Sequence, residues 1–265
     1  MGKKKIILTI ITVFLFLVLV FIGTLLFNKF FMKKYFEEDV LSFAKKNENT
    51  IFEINKITLF STCDAKNKLA SSSNFTIENL YQYTDIALFL TSPSEEITLE
   101  NTLKKVWIDN IKYTTSPSVG EQKLYYKNIN NFAKNDIIED NIILDKLEFN
   151  VTSEDIANLD TPTLYNNLAN PIVLSYVNSN IKTDYTITDT SIPITYDGSL
   201  LKRCNVFLNS ISCSMSFDIY IINNLNQEFK CTVSVNIPLE VENKTIYDGS
   251  ITVKNDTDFA FYRYK

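Results

Sequence analysis

The 265-residue chain contains no histidine. That single absence removes Ser-His-Asp triads, Cys-His dyads, HExxH zinc sites and imidazole acid–base chemistry together. A Ser-Lys pair is the remaining nucleophile option, and S-x-x-K occurs as Ser42–Lys45 and Ser199–Lys202. With 20 serines and 24 lysines, chance supplies such matches, and neither SDN nor KTG accompanies them. Carboxylate pairs could in principle hydrolyse a glycosidic bond, one as proton donor and one as nucleophile or base. The clusters are Glu95–Glu96, Asp136–Glu139–Asp140 and Asp256–Asp258, all in polar, loop-like context where solvated charge is the ordinary reading. "NDTD" at 255–258 lacks the spacing, glycine and closing glutamate of a calcium loop. No catalytic residue, cofactor site or metal site is assigned.

Cys63, Cys204, Cys213 and Cys231 form no C-x-x-C pair, which argues against zinc and dithiol redox chemistry. Outside a membrane, four cysteines suggest two disulfides. Strand register excludes Cys213–Cys231, because the two sit too far apart along a hairpin for a bond that needs Cα atoms within ~4.4–6.8 Å. Cys204–Cys213 would then staple a turn at Leu208–Asn209, and Cys63–Cys231 would tie the first strand to the last sheet. The competing reading is four reduced cysteines buried as small apolar residues. Among 33 Tyr and Phe, "KLYYKN" sets Tyr125 and Tyr126 among polar residues, as sugar- or peptide-binding faces do. Packing on a sheet is the alternative use.

The elements that must position these residues begin with an anchor. Ile6 to Phe27 is 22 residues without a charge. At ~1.5 Å per residue it spans roughly 33 Å, enough to cross a hydrocarbon core. It exceeds a signal-peptide h-region and lacks a small-residue cleavage site, so it reads as a retained single-pass signal-anchor. Residues 1–5 form a short basic head carrying Lys3, Lys4 and Lys5, placed inside, with residues 28–47 as a helical stalk. Residues 48–265 are then extracytoplasmic. Without Lys3–Lys5 the 26 basic residues become 23 against 31 acidic, a net charge of −8. Only Arg203 and Arg263 are arginines, so no basic footprint for nucleic acid exists. The abundance of Asn and Ile points to an AT-rich bacterial gene.

Beyond residue 50 the hydrophobic period changes from 3.6 to two. Residues 83–91, 104–113, 145–152 and 170–177 read as strands. The clearest pair is an antiparallel hairpin: Cys213, Met215, Phe217, Ile219 and Ile221 face one way, and Phe229, Cys231, Val233, Val235 and Ile237 repeat the pattern. A turn within 222–228 places Cys213 opposite a residue near 235–237. "TPTLYNNLANP" suggests a short helix from Thr161 to Pro171, and 152–159 another single turn. A lobe boundary, if one exists, falls within 128–170. "YDGS" occurs twice, and Asp197–Gly198 and Asp248–Gly249 read as two-residue hairpin turns. The expectation is a mostly β protein: one N-terminal transmembrane helix, then an antiparallel β-sandwich-like domain with a few short helices. Its expected role is a non-catalytic binding or structural module, contacting membrane, cell-wall polymer or a membrane-protein partner. A carboxylate-dependent glycan hydrolase and an accessory or sensor subunit are the alternatives.

Overall fold

A computed structural model of the chain describes residues 2–46, 50–68, 75–132, 135–154, 160–189, 191–237, 240–241, 244–245, 249–254 and 259–263. The N-terminal element is one unbroken helix, α1 (Lys3–Lys46), about 66 Å long at ~1.5 Å per residue. Within it Ile11–Phe36 is long and apolar enough to cross a membrane, with mean hydropathy 2.6 and none of that window buried in the protein. The helix continues past the apolar stretch because "KKYFEEDVLSFAKK" contains neither Gly nor Pro to stop it. Phe27, Phe31 and Tyr35 stack at i, i+4 spacing along it, with ring centroids 4.3 and 6.0 Å apart.

Residues Asn49–Arg263 form a second compact unit, a two-sheet sandwich. Its elements are β1 (Glu53–Lys68), β2 (Phe75–Thr91), β3 (Leu103–Thr115), β4 (Glu121–Tyr126), β5 (Leu147–Thr152), β6 (Thr163–Tyr165), β7 (Ile172–Ser179) and β8 (Thr183–Ile187). Two short helices follow, α2 (Gly198–Arg203) and α3 (Leu208–Ile211). Then come β9 (Cys213–Asn223), β10 (Glu228–Ile237), β11 (Glu240–Val241), β12 (Lys244–Thr245), β13 (Gly249–Lys254) and β14 (Tyr262–Arg263). The first sheet runs β13-β1-β2-β7-β4, with β8 also on β2; the second runs β14-β10-β9-β3-β5-β6. All pairings in them are antiparallel except the short β5–β6 ladder. Alternation explains the layers: Ile57, Leu59, Ile86, Leu88 and Leu174 of the first sheet meet Val106, Ile108, Phe217, Ile219 and Val233 of the second. A second apolar core lies at the far end of β1, where Cys63, Ile77 and Leu80 pack with Leu200, Leu201, Cys204, Val206 and Ile211.

The β9–β10 register matches expectation, with Cys213 opposite Ile237 and Cys231 opposite Ile219. The cysteines do not bond. All four are buried thiols in no disulfide, as the alternative reading holds. Cys63 and Cys204 share the second core, whereas Cys213 and Cys231 belong to the main one. Each expected pair, Cys204–Cys213 and Cys63–Cys231, would therefore join two separate cores. The expected hairpin at Leu208–Asn209 is instead the helical turn α3.

Asp197–Gly198 is likewise no hairpin turn. Asp197 is extended (φ −145°) and caps α2, its carboxylate accepting from Ser199 N at 2.8 Å. Leu200 and Leu201 are adjacent and both buried, a demand that a helical turn meets and an alternating strand does not. Asp248 lies outside the described residues, and Gly249 (φ +111°) opens β13 opposite Ser61. The segment expected as a helix after Thr161 is β6. Asn150 N donates to Pro162 O and Asn166 N to Thr152 O, at 2.8 Å each, drawing it onto β5. The single turn expected at 152–159 falls largely outside the described residues.

On the outer face of the first sheet lies a buried ion pair. Lys127 Nζ donates to both oxygens of Asp85 at 2.9 and 2.7 Å, and Ser175 Oγ donates to Oδ1 at 2.7 Å. Their side chains are 1% and 3% exposed, because the segment following β4 crosses this face. Two predictions follow from the packing. Lys127→Met strands a buried carboxylate and should cost about 3–5 kcal/mol, whereas adding Asp85→Leu should recover part of that loss. Urea unfolding of the full chain in detergent, read by its single tryptophan, Trp107, measures both. Burial pushes the thiols of Cys204 and Cys213 up to about 11 and that of Cys231 up to about 12. A maleimide at neutral pH should therefore leave these three unlabelled in the native protein and label them in denaturant without any reductant.

Candidate functional site

The two tyrosines singled out by sequence part company on β4. Successive strand residues point to opposite faces, so Tyr126 turns into the core, edge-on to Phe149 at 6.0 Å. Tyr125 faces outward, on the same surface as Tyr83 and Val177. The pairing register aligns Asp85, Ser175 and Tyr125 in one row across β2, β7 and β4, and Tyr83, Val177 and Lys123 in the next. Tyr81 precedes Tyr83 by two residues and joins the same face, their ring centroids 6.1 Å apart and tilted 31°.

The segment after β4 lies over this row. Asn128 caps a short 3-10 turn (Ile129–Asn131) by accepting from Asn130 N at 2.8 Å. Asn128 and Asn141 then fasten the segment by donating to Asp160, at 2.8 and 2.7 Å. Phe132 packs on Phe60, and Ile137 and Ile142 cover Tyr83 and Tyr125. Beside this cover remains a cleft of about 410 Å³ in which Tyr81, Tyr83, Tyr125, Glu121, Lys123 and Glu139 face one another. The cross-linked side chains of Asn79 and Asn180 close one end.

Gly120 sets the approach to Glu121. Its φ is +89°, and a Cβ there would run into the buried carboxamide of Asn178 and come within 2.7 Å of Ser179 O. Only glycine fits that crossing.

Polar groups in the cleft fall into two kinds. Tyr125 Oη donates to Glu139 Oε2 at 3.2 Å. Tyr83 is only 9% exposed, yet among the described residues its hydroxyl has no hydrogen-bond partner. Nor do Glu121 and Lys123 form an ion pair among those residues. Burial raises the Tyr83 hydroxyl far above its usual range, and Asp64, Tyr81 and Tyr125 add negative surroundings. Asp64 is held nearby through Asn135, whose Nδ2 donates to Oδ2 at 3.1 Å. Burial, then Glu139, push Tyr125 up to about 12.

Of the carboxylates considered from sequence, only Glu139 lines the cleft. Asp136 and Asp140 stand exposed on either side of it, Glu95 and Glu96 are exposed on a loop elsewhere, and Asp256–Asp258 lie outside the described residues. Ser199 spends its backbone N–H on the Asp197 cap, and Lys202 is exposed beside it. Sequence reasoning missed Tyr81, Tyr83 and Glu121. The signal was present, since "YQY" within a strand puts both rings on one face.

The raised tyrosines have a measurable consequence. A phenol whose folded pKa exceeds its unfolded value of about 10 stabilises the fold below that pH and loses this contribution as pH rises toward the folded value. Absorbance titration at 295 nm should show Tyr83 and Tyr125 ionising after the exposed tyrosines, with stability falling from about pH 10 toward pH 12. Tyr125→Phe should remove one of the late-titrating groups. No family model matches the chain, and neither does any curated protein or any solved structure.

Proposed function

We propose that the protein is a membrane-tethered binding module whose sandwich faces the outside of a bacterial cell and takes an envelope ligand in the tyrosine cleft. The single observation that carries this reading is Tyr83, a residue nine-tenths buried that lines a cleft with its hydroxyl unpartnered by the described residues. A ligand bonding to that hydroxyl would use hydrogen-bonding capacity that the described residues leave open. The apolar stretch of α1 supports tethering, and the basic head at Lys3–Lys5 supports an inward amino terminus. The three tyrosines of the cleft suit binding through aromatic area with a polar tip.

Two measurements test the two halves. Membrane-impermeant proteolysis of intact cells should digest the sandwich; digestion only after lysis would place it in the cytoplasm and remove an envelope ligand. Full-length protein in nanodiscs should bind native envelope material saturably, and Tyr81→Ala should weaken that binding by about 10-fold or more, the usual effect of losing an aromatic contact. Binding that is undiminished in Tyr81→Ala and Tyr83→Phe would move the site elsewhere.

A further inference from the structure

We propose that the group recognised in this cleft is a primary ammonium, an inference that rests on reading the cleft as the ligand site. The lining asks for a donor. Tyr125 has already given its proton to Glu139, so its remaining lone pairs accept. The Glu121 carboxylate makes no ion pair among the described residues, and Glu139 keeps acceptor capacity beyond the one bond from Tyr125. Tyr83 lines the same cleft, and its hydroxyl is unpartnered among the described residues. An ammonium offers three N–H donors and no acceptor, which complements this set.

Charge points the same way. Glu121 and Glu139 line the cleft, and Asp64 is close enough to disfavour a negative Tyr83. Among the described residues Lys123 is the one cation in the lining; it, Glu121 and Glu139 are all exposed, so solvent and salt screen the three alike and the carboxylates outnumber it two to one. An anionic ligand would meet two carboxylates and a buried phenol that resists ionisation. A quaternary ammonium could use the tilted faces of Tyr81 and Tyr83 but would offer no N–H to Tyr83, to Glu121 or to the remaining acceptor capacity of Glu139. A primary ammonium satisfies the acceptors and lies against those ring faces at the same time.

The test uses the full chain in phosphatidylcholine–phosphatidylglycerol nanodiscs, whose lipids carry no primary amine, with empty nanodiscs as the reference. Nα-acetyl-lysine amide, glucosamine and ethanolamine are titrated by calorimetry beside their side-chain- or amino-acetylated counterparts. At least one amine should bind, acetylation should weaken it by about 10- to 100-fold, and Tyr83→Phe and Glu139→Gln should each do so by a similar factor, as expected for a charge-assisted hydrogen bond. Which amine binds tightest assigns the source as a peptide lysine, an amino sugar or a headgroup amine. Equal binding of acetylated and free forms overturns the inference, as does amine binding that survives Glu121→Gln with Glu139→Gln. If native envelope material still binds in a Tyr81-dependent way while all three amines fail, the ammonium inference falls and the binding module stands. If neither binds, both fall.

Discussion

The Asp85–Lys127 pair under the segment that follows β4 is the constraint on which the rest of the outer face depends. Two opposite charges, almost wholly out of water, tie β2 to the end of β4, and Ser175 brings in β7 between them. Burying such a pair is expensive, and its geometry must be good to repay the desolvation. Here both carboxylate oxygens accept from the ammonium and one also accepts from a serine, so no strong acceptor is left unmet. An apolar trio could pack as tightly. It would not fix where the crossing chain must sit, since apolar contact is not directional.

That fixed crossing makes the cleft. Once Lys127 is pinned, the chain has to run over the row Tyr83–Val177–Lys123, and Ile137 and Ile142 come down on Tyr83 and Tyr125. Tyr83 is thereby buried without a described residue bonding its hydroxyl, and Glu139 is delivered to Tyr125 from the cover rather than from the sheet. The tyrosine face thus combines rigid strands beneath with one polar side chain supplied from above. This division suits a site that must keep its acceptors aimed before any ligand arrives, because prior ordering lowers the cost of binding.

The two apolar cores explain why the expected cysteine pairs do not form. A disulfide must bridge residues whose Cα atoms approach closely, and the cores separate the thiols two by two. Cys213 and Cys231 share a core but stand six positions apart on a ladder whose register was legible from alternation alone. Trp107 and Tyr220, stacked at 5.0 Å on the open face of the second sheet, belong to the same logic of cross-strand pairing. They support the sheet that closes the main core from the other side.

By itself the sequence determined the long apolar helix, the change to period two after residue 50, the β9–β10 hairpin with its register, and the exclusion of histidine chemistry. Each is a local property: hydrophobic length, alternation between neighbours, or the absence of a residue type. Only the tertiary structure decided that Tyr125 lines a cleft while Tyr126 fills a core, that Asp197 caps a helix instead of turning a hairpin, and that Thr163–Tyr165 is a strand. The reason is physical. An Asp-Gly pair suits both a tight turn and a helix start, and the choice was made by two adjacent leucines that had to be buried together. The pairing of Tyr83 with Val177 and of Tyr125 with Glu139 likewise depends on strand order and on where the crossing segment lands. Those contacts join residues distant in the chain, and no local period encodes them.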